Sequence, residues 1–212
     1  MPDLLTYLKI ECRGKPILLD LFCGAGGAAR GYQQAGFYVV GVDHKPQPRY
    51  VGDRFIQANA MTFPLDGYDA IHASPPCQSY SIISRIKRTR PQPKFIEELR
   101  KLLLETGRPF VIENVEGAPL KNPILLCGSS FGLGMIRHRL FEVYPPFPLS
   151  LFPPCNHGLM YDPWHYATKE REEMSKAMGI NWFMTRPEIR EAIPPAYTKW
   201  IGEMLMRVIR GK

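Results

Sequence analysis

Four short segments of this 212-residue chain combine residue types that can do chemistry. The first, Asp20-Leu21-Phe22-Cys23-Gly24-Ala25-Gly26-Gly27, runs an apolar stretch into a glycine-rich turn. Glycines there let the backbone approach a ligand closely, and the N–H groups of a following helix offer it a positive end. Asp43 closes the next apolar run, where an acid roughly 20 residues beyond such a turn can accept hydrogen bonds from ribose hydroxyls. Together they point to a nucleoside-containing cofactor or, more plainly, to a tight strand-to-helix turn; the spacing GxGG in place of GxGxxG disfavours a nicotinamide. The second segment is Ser74-Pro75-Pro76-Cys77-Gln78, whose prolines stiffen the backbone and fix where the cysteine points. Cys77 is either a thiolate nucleophile or an inert small hydrophobe. The third, Glu113-Asn114-Val115, puts a carboxylate after an apolar run, as a proton donor of raised pKa or as a helix cap or loop salt bridge. In the fourth, Arg137-His138-Arg139-Leu140-Phe141, strand alternation would set two guanidinium groups on one face, for anion or base-edge recognition or as a solvated surface.

Positioning these groups requires a framework, and the hydrophobic pattern supplies one. Residues 16 to about 144 alternate apolar runs with helical patterns, the signature of βαβ units and a parallel sheet. Strands are expected over 17–22, 37–42, 55–58, 68–73, 109–112 and 140–144, with helices over 27–36 and 94–106. Open sheets of this kind bind ligands beyond the carboxyl ends of their strands, where the first three segments fall. Residues 145–163 hold six prolines in 19 positions and read as irregular connection. Tyr197, Trp200, Ile201, Met204, Leu205, Val208 and Ile209 then form one apolar stripe, which predicts a final helix docked on the sheet.

Composition narrows the class. With 45% hydrophobic and 22% charged residues the chain is an ordinary globule with one sizeable core. It has no run near the roughly 18 apolar residues of a membrane span, and its first residues scatter charges among short apolar pairs. A membrane or secreted class is therefore not expected. The formal charge is +7, and residues 85–108 carry eight bases against three acids, which fits a polyanionic partner or a solvated face. Five widely spaced cysteines without a CxxC pair argue against a disulfide framework and for a reducing compartment. Cys155 and His157 could supply half of a metal site, but no second Cys/His pair lies at zinc-finger spacing, so a metal-free loop is expected.

In order and spacing, DLFCGAGG, SPPCQS, ENV and RHR resemble the DNA cytosine-5 methyltransferase family over about residues 17–144. The resemblance implies the class I S-adenosylmethionine-dependent methyltransferase fold, a Rossmann-like α/β architecture with a short irregular insertion and a C-terminal helix. It implies a catalytic domain over 1–144, a reduced target-recognition region over 145–183, and a segment over 184–212 packing back on the catalytic domain. Asp20, Phe22, Gly24, Gly26, Gly27 and Pro76 would line the cofactor site, Asp43 would hold the ribose, and Asn59 would meet the adenine amine where relatives carry an acid. Cys77 would attack C6 of a cytosine swung out of double-stranded DNA, Glu113 would protonate N3, and Arg137 and Arg139 would bind the O2 side of the base. Arg85, Lys87, Arg88 and Arg90 would belong to a loop closing over DNA phosphates.

Departures from the family pattern shape further expectations. Met135 stands where relatives carry glutamine before the arginine motif, and Arg190-Glu191 replaces a Gly-Asn start before Ile193-Pro194-Pro195-Ala196-Tyr197. Only about 40 residues separate the arginine segment from Met184-Thr185-Arg186-Pro187-Glu188, too few to deliver many base-reading side chains, so short or relaxed specificity is expected. Compact layouts of this kind are similar to those of bacteriophages and mobile elements. Rival readings are the same chemistry on transfer RNA, and a silent DNA-binding homologue. A monomer in a bacterial or phage-infected cytoplasm is expected, active in DNA modification of the restriction–modification type, with specificity open to supply by a partner protein.

Overall fold

A computed structural model describes residues 4–77, 95–146, 155–158 and 170–211. Within them seven strands form one sheet: β1 Ile17–Leu21, β2 Tyr38–Asp43, β3 Arg54–Gln57, β4 Ala70–Ala73, β5 Phe110–Asn114, β6 Ile124–Leu126 and β7 Arg139–Tyr144. Helices are α1 Leu4–Glu11, α2 Gly27–Gln34, α3 Phe95–Glu105, α4 Arg171–Ala177, α5 Arg186–Glu191 and α6 Pro195–Ile209. The strand order is β3-β2-β1-β4-β5-β7-β6. Strands β1 to β5 are parallel, as alternating βαβ units require, whereas β7 runs antiparallel to both β5 and β6. The expected all-parallel sheet is corrected there: β6 was not anticipated, and the chain returns from it along β5 without a crossover helix. No described helix is long and apolar enough to cross a membrane.

The two faces of the sheet bury different partners. Leu19, Leu21, Val40, Val42, Ile71 and Ile112 pack with Leu8 of α1 and Leu99 and Leu103 of α3. Leu18, Val39, Ala70, Val111 and Phe141 pack with Tyr32 of α2 and with Tyr197, Ile201 and Leu205 of α6. The apolar stripe foreseen at the C-terminus is thus core packing. A satellite core of Met174, Met178, Ile180, Met184 and Ile189 sits against Ala25 and Met135, and it crosses the boundary expected at 183/184. Arg49 Nε donates to both carboxylate oxygens of Glu188, which also closes a capping box with Thr185 at the start of α5. Among the bases counted in the 85–108 run, Arg100 is buried and holds Glu142 at 2.6 and 2.7 Å, so it is not available to a polyanion.

Candidate active site

The strand order reverses between β1 and β4, so the turns leaving these two strands diverge and open a crevice at their carboxyl ends. The turn after β1 carries Phe22, Gly24 and Gly26 at φ 59°, 51° and 91°. A left-handed phenylalanine is a strained backbone, of the kind that concentrates at ligand-binding turns. Asp43, at the end of β2, accepts the Gly24 N–H at 3.1 Å and the Lys45 N–H at 2.9 Å, and so holds the glycine turn against its own strand. Gly27 opens α2, where a β-carbon would come within 2.7 Å of the Ile193 carbonyl oxygen. Its need for glycine therefore comes at least partly from packing against the C-terminal segment.

Asp20 differs from the expectation of a pocket-lining side chain. It is fully buried in β1, and neither carboxylate oxygen has a hydrogen-bond partner among the described residues. Burial, aided by the Asp43 charge, pushes its pKa well up, toward a neutral acid beneath the turn. Asn59 is exposed, and its side-chain oxygen accepts the Met61 N–H at 3.0 Å in a local turn. The oxygen expected to meet an adenine amine is thus already engaged. Phe22 stays half-buried, with its ring 6.2 Å from that of Phe95, and Pro76 is half-buried on the turn after β4.

That turn is stitched to its neighbours by backbone and side-chain bonds. The Ser74 N–H donates to the Leu21 carbonyl at 3.1 Å, and Asn114 Nδ2 donates to the Pro75 carbonyl at 2.9 Å. Cys77 follows directly, partly buried and within the electrostatic reach of Arg139, Glu113 and Arg137. Burial pushes the thiol above its ordinary range; Arg139 and Arg137 pull it down, and Glu113 pushes it up. Glu113, buried at the end of β5, has its pKa raised by burial against the pull of Arg139, Arg137 and a Ser74 hydrogen bond. Arg139 Nε lies 3.0 Å from Glu113 Oε1.

The two arginines are not equivalent. Arg139 opens β7, whereas Arg137 precedes it and donates to the carbonyls of Arg190 and Ala192 at 2.7 and 2.9 Å. Burial and the adjacent Arg139 lower the Arg137 pKa to about 9. Tyr197 of α6 donates to the Arg137 carbonyl at 2.5 Å. The expected pair on one strand face is therefore corrected: Arg137 lies before the strand and fastens the C-terminal segment through Nη2, while its buried Nε has no hydrogen-bond partner among the described residues, and Arg139 is the guanidinium paired with Glu113.

Behind Glu113 lies a relay that sequence reading missed. Tyr32 Oη is 2.8 Å from His72 Nδ1, and His72 Nε2 is 2.8 Å from Ser74 Oγ, which bonds Glu113. Burial lowers the His72 pKa to about 3, so the ring is neutral. Ser74 donating to Glu113 leaves its oxygen to accept from His72 Nε2, and His72 Nδ1 to accept from Tyr32. A histidine in the middle of an apolar strand, two residues before Ser74, was the available signal. The basic residues Arg85, Lys87, Arg88 and Arg90 lie outside the described residues. The expectation of a metal-free loop at Cys155 and His157 rested on spacing along the chain; Cys127 and His138, far away in sequence, meet them at the β6–β7 edge.

Comparison with known proteins bears on this arrangement. A model of the C-5 cytosine-specific DNA methylases matches residues 17–122. A type II methyltransferase of Arthrospira platensis is 28% identical over 163 residues, spanning 64% of this chain and 47% of that protein. A type II methyltransferase of Haemophilus parahaemolyticus is 30% identical over 117 residues, spanning 46% of this chain and 32% of that protein. The chain thus spans less than half the length of these curated relatives. Among solved structures, a DNMT2 variant of Spodoptera frugiperda superimposes with TM-score 0.61 at 13% identity, covering 90% of this chain and 99% of that one. An Entamoeba histolytica methyltransferase gives TM-score 0.61 at 12% identity over 92% and 99%. At such identity the likeness is one of fold, here the Rossmann-like class I architecture.

Proposed function

The chain belongs to the C-5 cytosine-specific DNA methylase family, and from that premise we propose that it methylates C5 of cytosine in double-stranded DNA. The observation that carries the reading is the Glu113–Arg139 ion pair beside the turn after β4, with Cys77 on that turn and within the electrostatic reach of both. The cofactor would be S-adenosylmethionine, held by Phe22, the turn at Gly24 and Gly26, Asp43 and Pro76. These residues fit it: a β-carbon on Gly24 would meet nothing within 4 Å, which leaves room for a ligand against the backbone, and the Asp43 carboxylate at the end of β2 suits ribose hydroxyls. When bound, it supplies an electrophilic methyl group.

The chain's own groups do the rest. A ring carbon is unreachable inside a duplex, so the cytosine must leave the stack before it meets the crevice. C5 of an aromatic pyrimidine is a poor nucleophile until covalent addition breaks the conjugation. Cys77, having lost its proton, bonds to C6, and Glu113 gives a proton to N3, which takes up the charge pushed into the ring. Arg139 holds the Glu113 carboxyl and faces the O2 side of the base. After C5 has gained its methyl group, the C5 proton passes to water, the Cys77 sulfur departs as thiolate and N3 returns its proton to Glu113, which restores the neutral aromatic ring. The raised Glu113 pKa suits a group that must donate, and the two guanidinium charges favour the thiolate. Short or relaxed sequence specificity follows from the few residues between β7 and α5.

Incubation with cofactor and a duplex containing 5-fluorocytosine tests the reading, because fluorine cannot leave as a proton does and the adduct should persist. Wild type is expected to form a denaturation-resistant complex, and Cys77→Ser none. No adduct with wild type, an adduct that survives Cys77→Ser, or methylation of transfer RNA with none of DNA would each overturn it.

A further inference from the structure

Away from the crevice, four side chains from three separate stretches of the chain converge at the β6–β7 edge. Cys127 follows β6 directly, His138 immediately precedes β7, and Cys155 and His157 come from residues 155–158. One potential ligand atom from each lies within 4.8 Å of all the others. Cys127 Sγ is 3.6 Å from His157 Nε2, His138 Nε2 is 3.2 Å from His157 Nε2, and Cys155 Sγ is 3.9 Å from His138 Nε2.

We propose that these residues form a tetrahedral Cys2His2 zinc site. With Zn–S of about 2.3 Å and Zn–N of about 2.0–2.1 Å, a tetrahedron has sulfur–nitrogen edges near about 3.6 Å and nitrogen–nitrogen edges near about 3.3 Å. The three separations fall within a few tenths of an ångström of those edges. Burial does not account for the gathering, since Cys127 alone is buried, His138 and Cys155 are partly exposed, and His157 is exposed. Two thiolates and two imidazoles suit a borderline-soft ion and disfavour magnesium or calcium, which take oxygen ligands. Four protein ligands also close the coordination sphere, the mark of a structural rather than a catalytic zinc.

The surroundings are arranged as such a site requires. His138 Nδ1 lies 3.3 Å from Glu116 Oε2, so the carboxylate keeps the ring proton on Nδ1 and leaves the Nε2 lone pair for the metal. Ser129 Oγ donates to Cys127 Sγ at 3.3 Å and accepts the Asn156 N–H at 3.1 Å, which steadies the sulfur and anchors residues 155–158 to the turn after β6. In sequence the ligands fall at 127, 138, 155 and 157, a spacing unlike that of zinc fingers, and only pairing of β6 with β7 brings them together. The zinc would clip residues 155–158 to the sheet edge.

The test needs no enzymatic activity. The full chain, purified without chelator from zinc-supplemented cells, is expected to carry one zinc per chain by elemental mass spectrometry. Replacement by cobalt is expected to give thiolate charge-transfer bands and intense tetrahedral d–d bands. Cys155→Ser and His157→Ala should each lose the metal with the far-ultraviolet dichroism unchanged, and Glu116→Gln should weaken zinc binding about tenfold. In the wild type, chelator should expose two further thiols to a thiol reagent. Absence of zinc with absence of the cobalt bands, stoichiometric zinc in Cys155→Ser, a Cys127–Cys155 disulfide by peptide mapping, or a thiol count indifferent to chelator would each overturn the proposal.

Discussion

At the scale of single residues, burial sets Cys77 against the proposed reaction and Glu113 with it, since it raises the pKa of a thiol that must lose its proton and of a carboxyl that must donate one. Burial keeps the Cys77 thiol protonated near neutrality, while Arg139 and Arg137 oppose that burial. Alkylation of Cys77 in the free protein, followed by peptide mapping, should therefore rise about tenfold from pH 7 to pH 8 and keep rising to pH 9, because the thiolate fraction does. Arg139→Ala removes the stronger of the two opposing charges, so its rate at pH 8 should be several-fold lower. A plateau below pH 8 in the wild type would contradict the raised pKa. Residue-scale chemistry was only partly legible in the sequence. The segments around Cys77 and Glu113 announce themselves through prolines and strand ends, but the contacts that tune them do not. Ser74 and His72 act through a hydrogen-bond chain, and Asn114 through the Pro75 carbonyl, partners set by tertiary geometry.

At the scale of elements, the long periodic features were legible and the short ones were not. The patterns over 27–36, 94–106 and 197–209 correspond to α2, α3 and α6, with ends shifted by a few residues. The three-residue β6 and the helices α4 and α5 were missed because they are too short for periodicity to stand out, and α1, as long as α2, because Leu8 is its one buried residue and no apolar stripe forms. The strand β7 was expected over 140–144, but its antiparallel direction was not, since alternation of side chains carries no information about strand direction. The tightest contact between elements lies where α2 crosses α6. A β-carbon on Gly31 would collide with Thr198 Oγ1 and the Pro195 carbonyl, and Thr198 itself donates to the Ala28 carbonyl at 2.8 Å. Gly31→Ala should therefore cost about 3 kcal/mol, despite its better helix propensity, because backbone and not a flexible side-chain tip must give way. Urea titration measures it; an unchanged or higher midpoint would show that the helices can separate freely.

At the scale of the whole molecule, the charge asymmetry belongs to interaction rather than to folding. With Arg100 committed to Glu142, the remaining bases of the run fall mostly on residues before α3. Replacing Lys87, Arg88 and Arg90 together by glutamine should weaken duplex binding and shrink its log–log salt slope by about two to three, the share of three released counterions. Binding isotherms at several salt concentrations read this out, and an unchanged slope would mean the run is only a solvated surface. The same global view shows what the buried chain from Tyr32 to Glu113 cannot do. Burial raises the Tyr32 hydroxyl pKa well above its usual value and lowers that of the His72 ring to about 3, so neither readily gives up or takes a proton. The path into the core is thus a cul-de-sac that orients the carboxyl without draining it. In the proposed reaction, whatever proton Glu113 surrenders then has to be replenished from the crevice side.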